Sequence, residues 1–165
     1  MFNFNAVTGI FWDGLDERWS DGIKRNQWWA SANIRNKPNG MSTREHSKAL
    51  SLYDALIHNG GCEVCLSTTN LDDDLDIDSV IANGSIMGTT NSVLNEVLFL
   101  EMQTSNCHEN AATVKAERPE FHLCTGFYMS SEGMWREHSW LLTPDKGNII
   151  ETSSVQCAYF GVIVD

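Results

Sequence analysis

A chain of 165 residues with 42% hydrophobic and 20% charged content is the length of one globular domain. It is large enough to bury about 70% of its unfolded surface without a disulfide or a metal, and its composition excludes disorder, collagen and coiled coil. Eleven basic against twenty-two acidic residues leave a net charge of -11. That field repels phosphate backbones, so no nucleic-acid partner is expected and a basic or neutral protein or peptide is favoured.

The N-terminal arm, residues 1–40, carries Trp12, Trp19, Trp28 and Trp29 among Asn, Asp and Gly. No helical period persists there, and RNKPNG at 35–40 closes it with turn chemistry. Short strands and loops are expected, their indoles covering the core or lining a substrate groove. The first twenty residues lack a basic stretch followed by an apolar one, and no run approaches the roughly 20 apolar residues that span a bilayer. Five cysteines cannot all pair. A cytoplasmic chain with reduced thiols and no membrane association is the expectation.

Ser42 and Glu45 form a capping box, with Ala49, Leu50, Tyr53, Leu56 and Ile57 at helical spacing behind it and Asn59-Gly60-Gly61 as the stop. Cys62-Glu-Val-Cys65 reads as a short buried strand or turn. LDDDLDIDSV at 71–80 spaces Asp74, Asp76 and Asp78 as in a calcium loop. It lacks the Gly and the bidentate Glu that would complete one, so it reads as a solvated helix start. Thr90, Asn91 or Ser92 caps an expected helix through Val93, Leu94, Val97, Leu98 and Leu100-Met102. A second helix is expected from Cys107 to Pro119. Beyond it the period changes to strands: FHLCTGFYM, MWREHSWLL, NIIET and AYFGVIVD, separated by the turns SSEG and TPDKG. Helices followed by an antiparallel β-sheet make an α+β fold in a single domain, 1–165, with the chemistry concentrated in 90–165.

Cys107 at a helix start is where unpaired N–H groups and the macrodipole favour a thiolate. His138 and Glu151 lie on successive strands. A hairpin centred on Pro144-Asp145 sets them directly opposite each other, and a four-residue loop 144–147 makes them diagonal neighbours on the same face. A bulge at Gly147 would separate them. A thiol nucleophile, a base and an acid that orients the base make a catalytic triad. His108 and Glu109 are expected to point away from Cys107. Trp140, two residues past His138 on the same face, is placed to shield the pair from water, or to join Trp28 and Trp29 in a substrate groove. Cys62-x-x-Cys65 with His122-x-Cys124 offers four zinc ligands, but the gap between the halves is long. Buried free thiols are the default and no metal or other cofactor is expected.

NCHENA, then a glycine-containing strand, then WREHSWLL, a turn and IIETS together resemble the papain-like fold group in its transglutaminase-like branch, over roughly residues 90–165. That group has a Cys at a helix N-terminus, a His on a following strand and an acid on the next. Glu stands here where Asp is commoner. The resemblance implies a cysteine-dependent acyl-transfer enzyme: a glutamine deamidase, a transglutaminase-like enzyme or a thiol protease-like hydrolase. Its catalytic residues would be Cys107, His138 and Glu151. The oxyanion would be held by the backbone N–H of Cys107 with one further donor, from Gln103, Asn106, Trp28 or Trp29. Acetyl transfer from coenzyme A is disfavoured because no basic cluster is present to hold its phosphates. The alternative is a non-catalytic acidic binding or inhibitor protein on the same fold.

Overall fold

A computed structural model describes residues 28–29, 37, 41–67, 71, 75–89, 96–103 and 106–165. Most of the Trp-rich arm, Asp72–Asp74 and residues 90–95 lie outside that set. The described chain is a mixed α+β fold in which three helices cover one face of a curled, mostly antiparallel sheet.

Helix α1 (Thr43–His58) begins as its sequence dictates. The Ser42 hydroxyl accepts from the Glu45 N–H, 3.0 Å, and the Glu45 carboxylate accepts from the Ser42 N–H, 2.8 Å. Each side chain satisfies an amide that the helix leaves orphaned, a motif worth about 1 kcal/mol. Ala49, Leu52 and Leu56 form the buried stripe. Helix α2 (Leu75–Asn83) begins inside the acidic run, with Asp76 and Asp78 in its first turn; Asp78 pairs with Lys48 of α1 at 2.9 Å rather than serving a cation loop. Helix α3 (Cys107–Glu117) starts at the expected cysteine.

The strands are β1 (Trp28–Trp29), β2 (Glu63–Ser67), β3 (Ser85–Thr89), β4 (Glu96–Phe99), β5 (His122–Met129), β6 (Met134–Leu142), β7 (Asn148–Glu151) and β8 (Ala158–Ile163). The spatial order is β1-β2-β6-β5-β8-β3, with β7 joining β6 to β4. Two expectations are corrected. The expected helix through residues 93–102 is corrected over its described part: Glu96–Phe99 is a strand, parallel to β7, with Phe99 beside Glu151. A short apolar run fits either structure, and pairing with a neighbour decided it. Nor is the C-terminal sheet a simple meander. β8 returns to pair with β5, and β2 adds to β6 in parallel, so the sheet draws on strands from well before residue 90.

Parity along the strands separates two cores. Phe127, Trp135, Phe160 and Val162 face α1 and α2, while Leu141 and Ile150 face Ala111 and Val114 of α3. Cys124, Trp140, Leu142, Ile149 and Tyr159 pack together on the opposite face. β6 is shared unequally along one edge. Its residues 134–136 pair with β2, and 141–142 pair with β7. β7 then turns away toward β4, and the N-terminus of α3 occupies the opening beside residues 138–139. His108 reaches Ser139 there (2.6 Å), and Asn110 reaches the carbonyl of Thr152 (3.5 Å).

Candidate active site

The β6–β7 loop sets the register of the acid–base pair. Thr143 N–H donates to the Asn148 carbonyl at 3.0 Å and encloses residues 144–147, with Lys146 in the left-handed region at φ 58°. Leu141 opposes Ile150 and Leu142 opposes Ile149. His138 and Glu151 are therefore diagonal on one face, the four-residue-loop arrangement, and their long side chains bridge the gap. His138 Nε2 lies 2.8 Å from Glu151 Oε2.

Glu151 has no exposed surface, yet every side of its carboxylate is met by a donor. Oε1 accepts from the Thr152 N–H (2.8 Å), the Ser153 N–H (3.0 Å) and the Ser153 hydroxyl (3.1 Å). Oε2 accepts from His138 and from the Tyr159 hydroxyl (2.9 Å). Burial opposes ionisation, but the bond and charge of His138, the Ser153 amide and Tyr159 outweigh it, and the carboxyl titrates below its ordinary value.

His138 is 2% exposed. Its ring meets Tyr128 edge-on at 4.9 Å, Trp140 in a near-parallel stack at 6.2 Å and Tyr159 at 6.3 Å. Burial alone would lower its pKa. Hydrogen bonds to Cys107 and Glu151, and their negative charges, raise it to about 9. Since Nε2 serves Glu151, Nδ1 is the nitrogen left for the thiol.

Cys107 is the first residue of α3, and its N-cap Asn106 makes no side-chain cap bond. The first-turn amides are thus uncapped by that side chain and available to a developing anion. The thiol is half-buried. Burial pushes its pKa up, but hydrogen bonds with His108 and His138, and their charge, bring it down to about 5. A lowered thiol and a raised imidazole together favour thiolate and imidazolium at neutral pH, the ionised form a nucleophile requires. Cys65 and Cys124 contrast with it, each pushed up to about 12, chiefly by burial.

His108 does not point away, contrary to the expectation. It helps to lower the thiol's pKa, its Nδ1 lies 2.6 Å from Ser139 Oγ, and it lines a cavity of about 350 Å³ between α2 and the sheet. Neighbours in a helix diverge by about 100°, which is why sequence reasoning missed it; at the first turn both side chains still reach β6. Only its adjacency to Cys107 was visible in the sequence.

The remaining candidates are dispersed. Asn106 Nδ2 donates to Gln103 Oε1 at 2.9 Å and to Glu109 Oε2 at 3.3 Å, so the two amides engage each other. Trp140 has no exposed surface and offers nothing to a groove: it packs against His138 and Tyr159. Trp28 and Trp29 pair through their backbones with Ser67 and Leu66 of β2. The two half-sites considered for zinc lie at opposite ends of β6, since Cys65 pairs with Arg136 and His122 with Leu142. The Cys65 sulfur contacts Met134 Sδ at 3.2 Å, and His122 bonds Asp165. Comparison with known proteins gave no matching family model, no matching curated sequence and no matching solved structure.

Proposed function

We propose that the protein is a cysteine-dependent acyl-transfer enzyme with Cys107 as nucleophile, His138 as acid–base residue and Glu151 as its orienter. One observation carries the reading: a buried imidazole is held 2.8 Å from a fully buried carboxylate, beside a helix-start thiol whose pKa that imidazole helps to lower to about 5. Thiol, imidazole and acid follow in that order on a helix and two later strands, which supports a papain-like, transglutaminase-like core. Cys107 attacks a carboxamide or peptide carbonyl, and the uncapped amides at the start of α3 stabilise the oxyanion. His138 gives its proton to the departing ammonia or amine, and water or another amine resolves the thioester. The acidic balance suits a glutamine on a basic or neutral protein, and the free thiols suit a reducing cytoplasm.

The test is incubation with glutamine-containing protein substrates, following ammonia release and the intact mass of the protein. Turnover with a transient acyl adduct on Cys107, absent in Cys107→Ala, is the expected result. No adduct, together with no preferential alkylation of Cys107 over the other four cysteines, overturns the reading. It would favour the second one, a non-catalytic acidic binding protein, for which exposed Leu98, Phe99 and Leu100 would supply contact area.

A further inference from the structure

The two imidazoles beside Cys107 belong to opposite faces of the sheet. His138 and Trp140 share one face of β6 by parity, and Ser139, the partner of His108, points to the other. The His138 side is closed: the ring is 2% exposed and is surrounded by Tyr128, Trp140 and Tyr159. The His108 side is open, because His108 is exposed and borders the cavity together with Ser139, Thr125, Phe127, Ile77 and Val80. A reactant that comes to the thiol from the cavity meets His108 first.

Building on the acyl-transfer reading, we infer that His108 is a second acid–base residue, oriented by Ser139, which takes the proton of the nucleophile that resolves the acyl-enzyme. In the first half-reaction the Cys107 thiolate forms the S–C bond, and His138 protonates the departing nitrogen as the C–N bond breaks. His138 is left neutral. In the second, acylation has removed the thiolate that favoured a charged His108, its proton leaves to solvent through the cavity, and water entering there bonds its oxygen to the thioester carbon while the neutral ring accepts its proton. The C–S bond then breaks with its electron pair on Sγ. His108 is then charged as at the start, a proton taken from solvent in place of the one it released reaches His138 by way of the sulfur whose ionisation both rings favour, and the starting state returns. The sum is carboxamide plus water giving carboxylic acid plus amine, with no external oxidant or reductant.

The cavity side and the closed side also differ in access to small solutes, and the test uses that difference. Para-nitrophenyl acetate acylates a thiolate without needing a proton for its leaving group, so the burst of nitrophenolate reports acylation and the later linear phase reports deacylation. His108→Ala is expected to keep the burst amplitude, with a burst rate lowered only by the thiolate fraction that His108 supports, and to slow the linear phase by at least about a hundredfold, the low end of what a general base contributes. Added imidazole should restore that phase by entering the space left beside the cavity. Ser139→Ala should shift the pH profile of the linear phase while the burst stays. His138→Ala is expected to lose the burst, and imidazole should not rescue it behind the aromatic wall. A linear phase unchanged in His108→Ala, or one slowed only in proportion to its burst, overturns the inference and leaves the nucleophile reading intact. A wild-type protein with no burst overturns the acyl-enzyme reading, and this inference with it.

Discussion

At Cys107 two opposing effects compete, and hydrogen bonding prevails over burial. The thiol's pKa near 5 and the imidazole's near 9 belong to a coupled pair, whose reactive ion-pair form fills the window between them. As pH falls through about 5 the thiolate takes a proton and the rate should fall. As pH rises through about 9 His138 loses its proton and the acid step should fail. A kcat/KM profile between pH 4 and 10 should therefore be bell-shaped with those limbs. Iodoacetamide at pH 6 should modify Cys107 well ahead of Cys65 and Cys124, read by peptide mass spectrometry; equal labelling would refute the ionised thiol. Cys107→Ala should remove turnover while shifting the melting temperature by only a few degrees, because a half-buried thiol contributes little packing. Glu151→Gln should behave differently. Five donors converge on that carboxylate, so an amide there must direct an NH2 at one of them. A loss of about 1–3 kcal/mol in urea denaturation is expected alongside the loss of rate. Rate loss without destabilisation would mean that the network relaxes around the amide.

The three central strands are held close by missing side chains. Gly126 lies between His138 on β6 and Gly161 on β8, in register with both. A Cβ on Gly161 would stand 2.7 Å from the Trp140 indole and 2.2 Å from the Thr125 carbonyl; one on Gly126 would stand 2.2 Å from the Phe160 carbonyl. The glycine row lets the indole lie over the sheet against His138. Gly161→Ala should displace Trp140, cost roughly 1–3 kcal/mol or more and alter the near-UV circular dichroism; an unchanged spectrum would contradict the packing described. Elements whose signals are adjacent in the chain were legible in the sequence. These are the Ser42–Glu45 box, the helix at Cys107, the four alternating strands after Pro119 and the shared face of His138 and Glu151. Elements decided by distant partners were not. β4 carries an apolar run that only its parallel neighbour β7 makes into a strand. β3 offered no pattern of its own; β2 was legible as a short buried strand or turn, but its parallel pairing with a strand some seventy residues away was not, the Cys65–Met134 contact spanning 69 positions. His108 was hidden for the same reason, since its partner Ser139 lies 31 residues on.

Across the whole molecule, the charge of -11 acts on encounter more than on chemistry. Salt screens interactions beyond about 10 Å at 0.1 M, whereas the buried His138–Glu151 pair is shielded from it. With a basic protein substrate the apparent KM should rise with ionic strength while kcat stays nearly flat. A KM indifferent to salt would reduce the acidic surface to a solubility feature. Among the described residues no helix is long and apolar enough to cross a membrane.

The unequal sharing of β6 also bears on the order in which the molecule assembles. His138 and Glu151 are 13 residues apart in one hairpin, so the proton-handling pair closes a short loop at small entropic expense. The β2 pairing on the same edge must close a loop several times longer, and parallel pairings of that kind are slow to form. Amides of β5 and β6 should accordingly gain protection from hydrogen exchange before those of β2. Refolding chains would then hold a formed acid–base pair before the strand that completes that edge has docked, and activity would return later than the first protected amides.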